Sequence, residues 1–140
     1  MMKKEIKLQQ KILDLIKIAR THKTSKRIIS IGKITKFQAD IFEKRFGINV
    51  RDYERTIDAD GIRHALNKHP NLFDTDFLTI LLIVDNPDVV GLGKEKDTIV
   101  YRKNFEKYIF YVECIQKGKK RLMLKTLYKK RKPLERTQAV

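Results

Sequence analysis

The sequence predicts an α+β domain in which N-terminal helices precede a four-stranded antiparallel β-sheet. Apolar residues recur at helical spacing in much of the first half of the chain, whereas four segments after residue 88 alternate apolar and polar residues. The chain has 140 residues, of which 41% are hydrophobic, so it is long enough to bury a core. We therefore expect one folded unit with its helices on one face of the sheet.

The first part of the chain contains two predicted helices with a strand between them. Residues 3–20 place Ile, Leu and Ala side chains on one side of a helix, with lysines opposite or flanking them. Residues 27–34 alternate as a short strand does. Thr35 can cap a second helix, and Gly47 can end it. This order also allows a small winged or helix-turn-helix unit, although no second helix carries the Asn, Gln and Arg mix that reads bases.

Two further helices are predicted before the sheet. One lies between Asp58, a suitable N-cap, and Pro70, which disfavours a helical residue before it. The other is the apolar run of residues 76–85, which is too short to span a membrane and which we interpret as a buried helix. We expect it to begin near residues 74–76 and to end at residues 86–88.

The predicted sheet comprises four segments rich in β-branched and aromatic residues. They span residues 89–91, 98–102, 108–115 and 121–128. Turn signals containing Gly, Asn, Asp or Lys separate them, which is typical of an antiparallel meander.

Positive charge is concentrated at the two ends of the chain. The formal net charge is +15 and the pI is near 10.0, which indicates a polyanionic partner, most commonly nucleic acid. Residues 1–36 hold 11 Lys and Arg against 2 Asp and Glu, and residues 117–140 hold 10 against 1, whereas residues 37–116 hold 11 against 14. Two basic ends around a near-neutral centre are suited to binding a phosphate backbone, although solvated lysine faces give the same pattern.

Two of the three histidines lie on the third predicted helix. Asp60, His64 and Lys68 recur every four residues and share one side, where Asp60 can orient the His64 imidazole. His69 lies about 140° further round, on the apolar side of the helix. Both histidines therefore cannot face one pocket unless the helix unwinds before Pro70. We expect His64 to act as an acid or base, and His69 to be either a second catalytic group or a core residue.

Three segments, taken together, resemble a known family. Their order and spacing, rather than any single motif, are similar to the phage-type nuclease domains of the barnase, EndoU, colicin and RelE-like (BECR) fold. The segments are residues 61–69, 83–90 and 124–129. The resemblance covers roughly residues 50–130. It divides the chain into a basic helical N-terminal extension (1–49), a BECR-like nuclease domain (50–130) and a basic C-terminal tail (131–140).

This resemblance implies metal-independent cleavage of RNA, often by a toxin or effector linked to phages or mobile elements. Position by position, it implies His64 and His69 on the helix and Thr126 on the final strand as site residues, with Lys125 and Tyr128 beside them. An antitoxin or immunity protein would be the corresponding partner.

The chemistry of metal-free RNA cleavage is consistent with these residues. It needs a base for the 2′-hydroxyl proton, an acid for the leaving oxygen, and donors for the charge on the phosphate. His64 with Asp60 supplies the leading acid or base, and Thr126 can donate to a phosphate oxygen, although threonine also suits an ordinary strand. Nucleic-acid contacts are predicted for a set of basic residues and one tyrosine: Arg55, Lys68, Arg121, Lys125, Tyr128, Lys129, Lys130, Arg131 and Lys132.

Two other classes of function fit the same sequence. One is a non-catalytic nucleic-acid-binding or host-inhibitor module that uses only the two basic ends. The other is an interaction protein that docks on an acidic or RNA-containing complex through residues 3–20 or the tail. A lone cysteine, Cys114, and scattered histidines give no zinc-ligand spacing, and we see no membrane helix or signal-peptide core. We therefore expect a cytoplasmic protein without a metal, a cofactor or membrane contact.

Overall fold

The structure is a computed structural model that describes residues 2–133. Its helices are α1 (Met2–Thr21), α2 (Lys36–Phe46), α3 (Ala59–Lys68), α4 (Asp74–Leu78) and α5 (Ile80–Asp85), and a 3-10 turn covers Lys117–Lys119. Residues 134–140, which make up most of the predicted basic tail, lie outside the described residues. Within the described range, no helix combines the length and the apolar character that a membrane span requires.

The described strands form one six-stranded mixed sheet. They are β1 (Ile28–Lys33), β2 (Glu54–Asp58), β3 (Val89–Leu92), β4 (Thr98–Asn104), β5 (Tyr108–Gln116) and β6 (Arg121–Lys130). The order across the sheet is β1-β2-β6-β5-β4-β3, with β2 parallel to β6 and all other neighbours antiparallel. The α+β class is therefore confirmed. The expectation of a four-stranded antiparallel sheet is wrong, because β2 and β1 extend the predicted meander on the β6 side.

The strand that the sequence pattern did not reveal is β2. It pairs with β1 on one side and with β6 on the other, where Arg55 lies opposite Leu122 and Thr56 opposite Met123. A parallel pair requires a long crossover connection, and here that connection includes α3 to α5 and three strands. No local pattern in so short a segment indicates partners that are this distant in sequence.

Local capping signals, in contrast, predicted the helix ends correctly. The Thr35 hydroxyl accepts a hydrogen bond from a backbone amide in the first turn of α2, and Gly47 ends that helix in the left-handed region with φ of 66°. The Asp58 carboxylate caps α3 in the same way. The apolar run of residues 76–85 is helical, as expected, but a break at Thr79 divides it into α4 and α5.

The inner face of the sheet packs against helices and forms the core. Tyr101 on β4 and Tyr111 on β5 are buried and lie opposite each other, and Phe42 of α2 packs 6.2 Å from the Tyr101 ring. Helix α1 joins the same core through its buried residues and packs against α3, α4 and β1. The proposed division of the chain at residues 49 and 131 stays a prediction.

The same inner face buries one charged pair. Arg55 and Glu113 are 4% and 0% exposed, and Arg55 Nε donates to Glu113 Oε2 at 2.6 Å. Arg55 Nη2 also donates to the Tyr101 hydroxyl at 3.2 Å, and the Tyr111 hydroxyl donates to Glu113 at 3.1 Å. Burial alone would lower the pKa of Arg55, but the adjacent carboxylate raises it above the usual value. Arg55 therefore stays charged in the interior, beside a carboxylate that accepts three hydrogen bonds, two from Arg55 and one from Tyr111.

Helix α3 lies against β6 along the part of that strand that β2 does not reach. A Cβ atom on Gly61 would lie 3.1 Å from the Leu124 carbonyl oxygen, and the His69 ring lies 5.4 Å from that of Tyr128. From Gly61 to His69 the helix rises about 12 Å, and from Leu124 to Tyr128 the strand rises about 13 Å. The two elements therefore run side by side. A Cβ at position 61 would also lie 2.6 Å from the capping Asp58 carboxylate, so glycine suits this close approach.

The outer face of the sheet is half-exposed. Its side chains on β4, β5 and β6 form three rows that run across the strands. The first row is Val100, Val112 and Thr126; the second is Arg102, Phe110 and Tyr128; the third is Asn104, Tyr108 and Lys130. None of these positions is Asp or Glu. This face carries the candidate site.

Candidate nuclease site

The two histidines of the third helix lie in different places. His64 is at the surface, with 77% of its side chain exposed, in a pocket of about 570 Å³ that Arg20 and Lys23 also line. Its Nε2 atom is 3.7 Å from Asp60 Oδ2, which is longer than a hydrogen bond, and Asp60 also contacts Arg63 at 3.4 Å. Asp60 is thus close to His64, as predicted, but it does not hold the imidazole firmly.

His69 lines a groove on the outer face, which we call the outer groove. It encloses about 440 Å³ between the end of α3, the β3–β4 turn and the outward side chains of β4 to β6. Its lining residues are Lys68, His69, Leu92, Gly93, Lys94, Glu95, Thr98, Val100, Val112, Lys125, Thr126, Tyr128 and Lys130. The groove therefore contains His69 and Thr126, two of the four predicted catalytic residues, but not His64 or Asp60.

Two neighbours position the His69 side chain. As the C-cap of α3, His69 donates its backbone N–H to the Ala65 carbonyl oxygen at 2.8 Å. Its imidazole stacks on the Tyr128 ring at 5.4 Å with an interplanar angle of 30°. Partial burial, and then the charge of Lys68, lower the pKa of His69 below its usual value of 6.5. The ring is therefore held in place and is mostly neutral at pH 7.

Thr126 lies on the floor of the groove beside a β-bulge. Val112 of β5 pairs with Thr126, but the next residue, Glu113, pairs with Leu124, so Lys125 has no partner across the strands. Bulges of this kind redirect a side chain and are frequent next to active sites. The Thr126 Oγ1 atom is buried and has no hydrogen-bond partner within residues 2–133. A buried hydroxyl without a partner is costly, so a ligand atom that bonded to this oxygen would relieve that cost.

Lysines give the groove a positive charge. Lys68, Lys94, Lys125 and Lys130 line it, against a single carboxylate, Glu95. Lys125 Nζ lies 2.7 Å from Glu95 Oε2, and this contact lowers the pKa of Glu95. Both side chains are well exposed, so a phosphate group can replace the carboxylate at little cost.

The other predicted nucleic-acid contacts lie elsewhere. Arg55 is buried with Glu113, so its guanidinium does not reach the surface. Arg121 lies at the opposite end of β6 from Lys130 and donates to Gln116 at 2.5 Å. Arg131 and Lys132 are exposed beyond β6.

Lys129 also lies outside the groove, although both of its neighbours in sequence line it. Its side chain is 10% exposed and forms a 2.9 Å ion pair with Asp76 of α4, over the ring of Phe73. Lys68, Lys125, Tyr128 and Lys130 are thus the predicted contacts that the groove brings together.

Two residues of the β3–β4 turn, Lys94 and Glu95, line the groove but were not among the predicted site residues. The turn folds tightly: the Thr98 hydroxyl donates to the Glu95 carbonyl oxygen at 2.7 Å, and a Cβ atom on Gly93 would collide with that hydroxyl. The turn itself was predicted from its Gly and Asp residues. A turn signal does not indicate which face of the sheet the turn covers, so these side chains could not be assigned to a site.

The groove combines a neutral imidazole, a hydroxyl without a partner and several ammonium groups. An imidazole with this pKa can accept a proton, while a hydroxyl and ammonium groups can stabilise a phosphate that gains negative charge. Within residues 2–133, no three His, Cys, Asp or Glu side chains lie close enough to hold one metal ion. The groove is thus suited to acid–base chemistry on a phosphodiester.

Comparison with known proteins identifies a nuclease family. No curated protein sequence and no solved structure gives a significant match to the chain. The model of the family described as phage-Barnase-EndoU-ColicinE5/D-RelE like nuclease3 matches residues 32–136, which is more than half of the 140 residues and includes every residue that lines the outer groove. The resemblance inferred from the sequence is therefore confirmed, and the chain belongs to this BECR-like nuclease family.

Proposed function

We propose that this protein is an endoribonuclease that cleaves RNA in the outer groove, without a metal ion, by attack of a 2′-hydroxyl on the adjacent phosphate. The observation that carries the proposal is that His69, Thr126 and Lys125 line one groove with further lysines around them. Membership of a nuclease family supports a phosphodiester as the bond that is broken.

His69 is the proposed general base. Because its pKa is below 6.5, its neutral form predominates at pH 7 and can take the proton of the 2′-hydroxyl. The 2′-oxygen then bonds to phosphorus, and the bond from phosphorus to the 5′-oxygen breaks. The leaving oxygen takes a proton from an ammonium group of the groove, and the other product ends in a 2′,3′-cyclic phosphate.

Thr126 and Lys125 are proposed to stabilise the charge that develops on the phosphate. The Thr126 hydroxyl would donate to a non-bridging oxygen, which would remove the cost of about 1–3 kcal/mol for a buried group without a partner. Lys125, next to it on the bulge, would exchange Glu95 for the phosphate. Lys68 and Lys130 would bind neighbouring phosphates of the same strand.

His64 with Asp60 remains the second candidate for the base. It also lies among basic residues, since Arg20, Lys23 and Arg63 line its pocket. That pocket, however, offers an imidazole that is loosely held and has no threonine or serine hydroxyl among its lining residues. We therefore favour His69.

The biological setting belongs to the same proposal. Unrestrained cleavage of RNA would harm the cell that makes the enzyme, so we propose a toxin or effector role, in the cytoplasm and with an antitoxin or immunity protein that covers the outer groove. The net charge of +15 would favour association with RNA of many sequences.

A comparison of two histidine variants tests the catalytic assignment. Wild-type protein, His69→Gln and His64→Gln would be incubated with labelled total RNA and transfer RNA in EDTA, and fragment ends would be analysed for a cyclic phosphate. We expect the wild type and His64→Gln to cleave at similar rates and His69→Gln to cleave about a hundredfold or more slowly, which is the usual contribution of a general base. His64 lies on α3 and His69 is the C-cap of the same helix, so His64→Gln is a matched control.

Each other outcome rejects a defined part of the proposal. Loss of cleavage in His64→Gln alone would identify His64, in the surface pocket, as the general base. Cleavage that EDTA abolishes would reject metal independence. RNA that the wild type leaves intact but retards on a gel would support the non-catalytic binding module instead.

A further inference from the structure

The second and third rows of the outer face adjoin the groove and contain three aromatic rings. Phe110 and Tyr128 belong to the second row and Tyr108 to the third. All three are half-buried, so part of each ring reaches the surface. The rings differ in the groups that lie against them.

Tyr128 is covered on both sides. Its ring stacks on Phe110 at 4.8 Å with an interplanar angle of 9°, and on His69 at 5.4 Å with an angle of 30°. A separation of 4.8 Å is the spacing of neighbouring strands, and it leaves no room for a base between the rings. Tyr128 therefore holds the imidazole of His69, and it is not the residue on which a base stacks.

Tyr108 is arranged differently. Its ring is nearly perpendicular to Phe110, at 87° and 6.3 Å. The guanidinium carbon of Arg102 lies over the Tyr108 ring at 4.5 Å, and Lys132 Nζ lies at 5.9 Å. A planar guanidinium on an aromatic ring offers a flat cationic surface, and both aromatic rings and guanidinium planes stack nucleobases.

The charge around Tyr108 suits an anionic chain. Lys130 lies opposite it on β6, and no outward position of the three rows is acidic. Tyr108 is two rows from Thr126, about 13 Å along the strands, so one strand of nucleic acid can reach both. Only an unpaired base can stack there, because a duplex covers both faces of each of its bases.

We propose that Tyr108, with the Arg102 guanidinium over it, is a stacking site for one nucleobase of single-stranded RNA whose backbone continues into the outer groove. This assignment rests on the proposed function and narrows its substrate to unpaired RNA. It also gives the outer face two separate tasks, since Phe110 and Tyr128 position His69 while Tyr108 and Arg102 bind the substrate.

Binding of 2′-O-methyl RNA tests the site without cleavage, because the attacking hydroxyl is blocked. Fluorescence anisotropy would measure the Kd of a labelled single strand and of the corresponding duplex. We expect Tyr108→Leu to weaken single-strand binding about tenfold, as the loss of one base–aromatic stack does, and to leave duplex binding unchanged. Tyr108→Phe keeps the ring and should bind as the wild type does.

Two matched controls separate stacking from general effects. Phe37→Leu removes an exposed aromatic ring on α2, which is 74% exposed, and should change neither Kd. Arg102→Gln should weaken single-strand binding more than Lys44→Gln does, because both remove one charge but only Arg102 lies over the ring. Thermal unfolding of each variant would establish that it is folded.

The results distinguish this site from the nuclease proposal. Equal single-strand affinity in Tyr108→Leu and the wild type, or an equal loss for the duplex, would overturn the stacking site. RNA with free 2′-hydroxyls that stays uncut, while Tyr108 still governs single-strand binding, would reject the nuclease and retain the stacking site.

Discussion

The inner and outer faces of the sheet each place an arginine over a tyrosine ring. On the inner face Arg55 lies 5.8 Å from the Tyr101 ring, and on the outer face Arg102 lies 4.5 Å from the Tyr108 ring. Arg55 is also bonded to a fully buried carboxylate, Glu113, whereas the Arg102 side chain donates to the amide oxygen of Asn104 at 3.1 Å and forms no ion pair within residues 2–133. The arginine charge is thus compensated by a carboxylate on the inner face, whereas on the outer face it is available to an anion.

This difference shows which charges can act on a ligand. A cation that is already paired in a dry interior contributes to the structure, and separating it from its partner would leave an unpaired charge there. A cation at a half-exposed surface whose side chain forms no ion pair keeps its attraction for phosphate. Both kinds of arginine contribute equally to the net charge of the sequence, and only the groups that surround each one distinguish them.

The largest expected effect is on stability and concerns the inner face. Glu113→Gln leaves the Arg55 charge buried without a counter-ion, so we expect the free energy of unfolding to fall by about 3–5 kcal/mol. Urea unfolding, followed by circular dichroism, would measure the change. Glu95→Gln removes a carboxylate from the outer face and should leave the unfolding midpoint unchanged, because its ion pair with Lys125 is exposed.

The double variant Arg55→Leu with Glu113→Leu sharpens this test. It removes both charges together, and it should recover much of the stability that Glu113→Gln loses, because an apolar pair leaves no uncompensated charge. A Glu113→Gln protein as stable as the wild type would show that Arg55 does not depend on this carboxylate.

The next effect is the pH dependence of cleavage on the outer face. The neutral imidazole of His69 is the proposed base, so kcat/KM should fall about tenfold for each pH unit below the pKa of His69. Burial and the charge of Lys68 lower that pKa, so this acid limb should lie below pH 6.5. The Lys68→Gln variant should move the limb to higher pH, whereas Lys17→Gln on α1 should not move it. An acid limb above pH 6.5 in the wild type would contradict the assignment.

The smallest expected effect is on the salt dependence of RNA binding. It concerns two adjacent lysines whose side chains lie on opposite faces of the sheet. Lys130 lines the outer groove, whereas Lys129 pairs with Asp76 at 2.9 Å. Lys130→Ala should reduce the slope of log K against log salt for RNA binding by about one, because one phosphate contact is lost. Lys129→Ala should keep the wild-type slope and instead lower the unfolding midpoint. Equal changes in slope would mean that both lysines contact the phosphate backbone.

The parts of the fold that depend on near neighbours were predicted from the sequence. Thr35, Gly47 and Asp58 marked helix ends because capping uses backbone groups within a few residues of the cap. The four-strand meander was predicted because antiparallel neighbours follow each other along the chain. β2 was missed because its partners in β6 follow it by more than sixty residues.

For the candidate site, too, some properties followed from local sequence and others depended on tertiary contacts. The sequence determined that His64 and His69 point in different directions, because each helical residue turns the chain by about 100°. Tertiary structure decided which histidine meets the other groups of the groove, since only the packing of α3 along β6 brings His69 to Tyr128 and Thr126. It also decided that Arg55 is structural, because its partner Glu113 lies 58 residues away. Local spacing sets the direction of a side chain, but contacts between distant segments determine what that side chain meets.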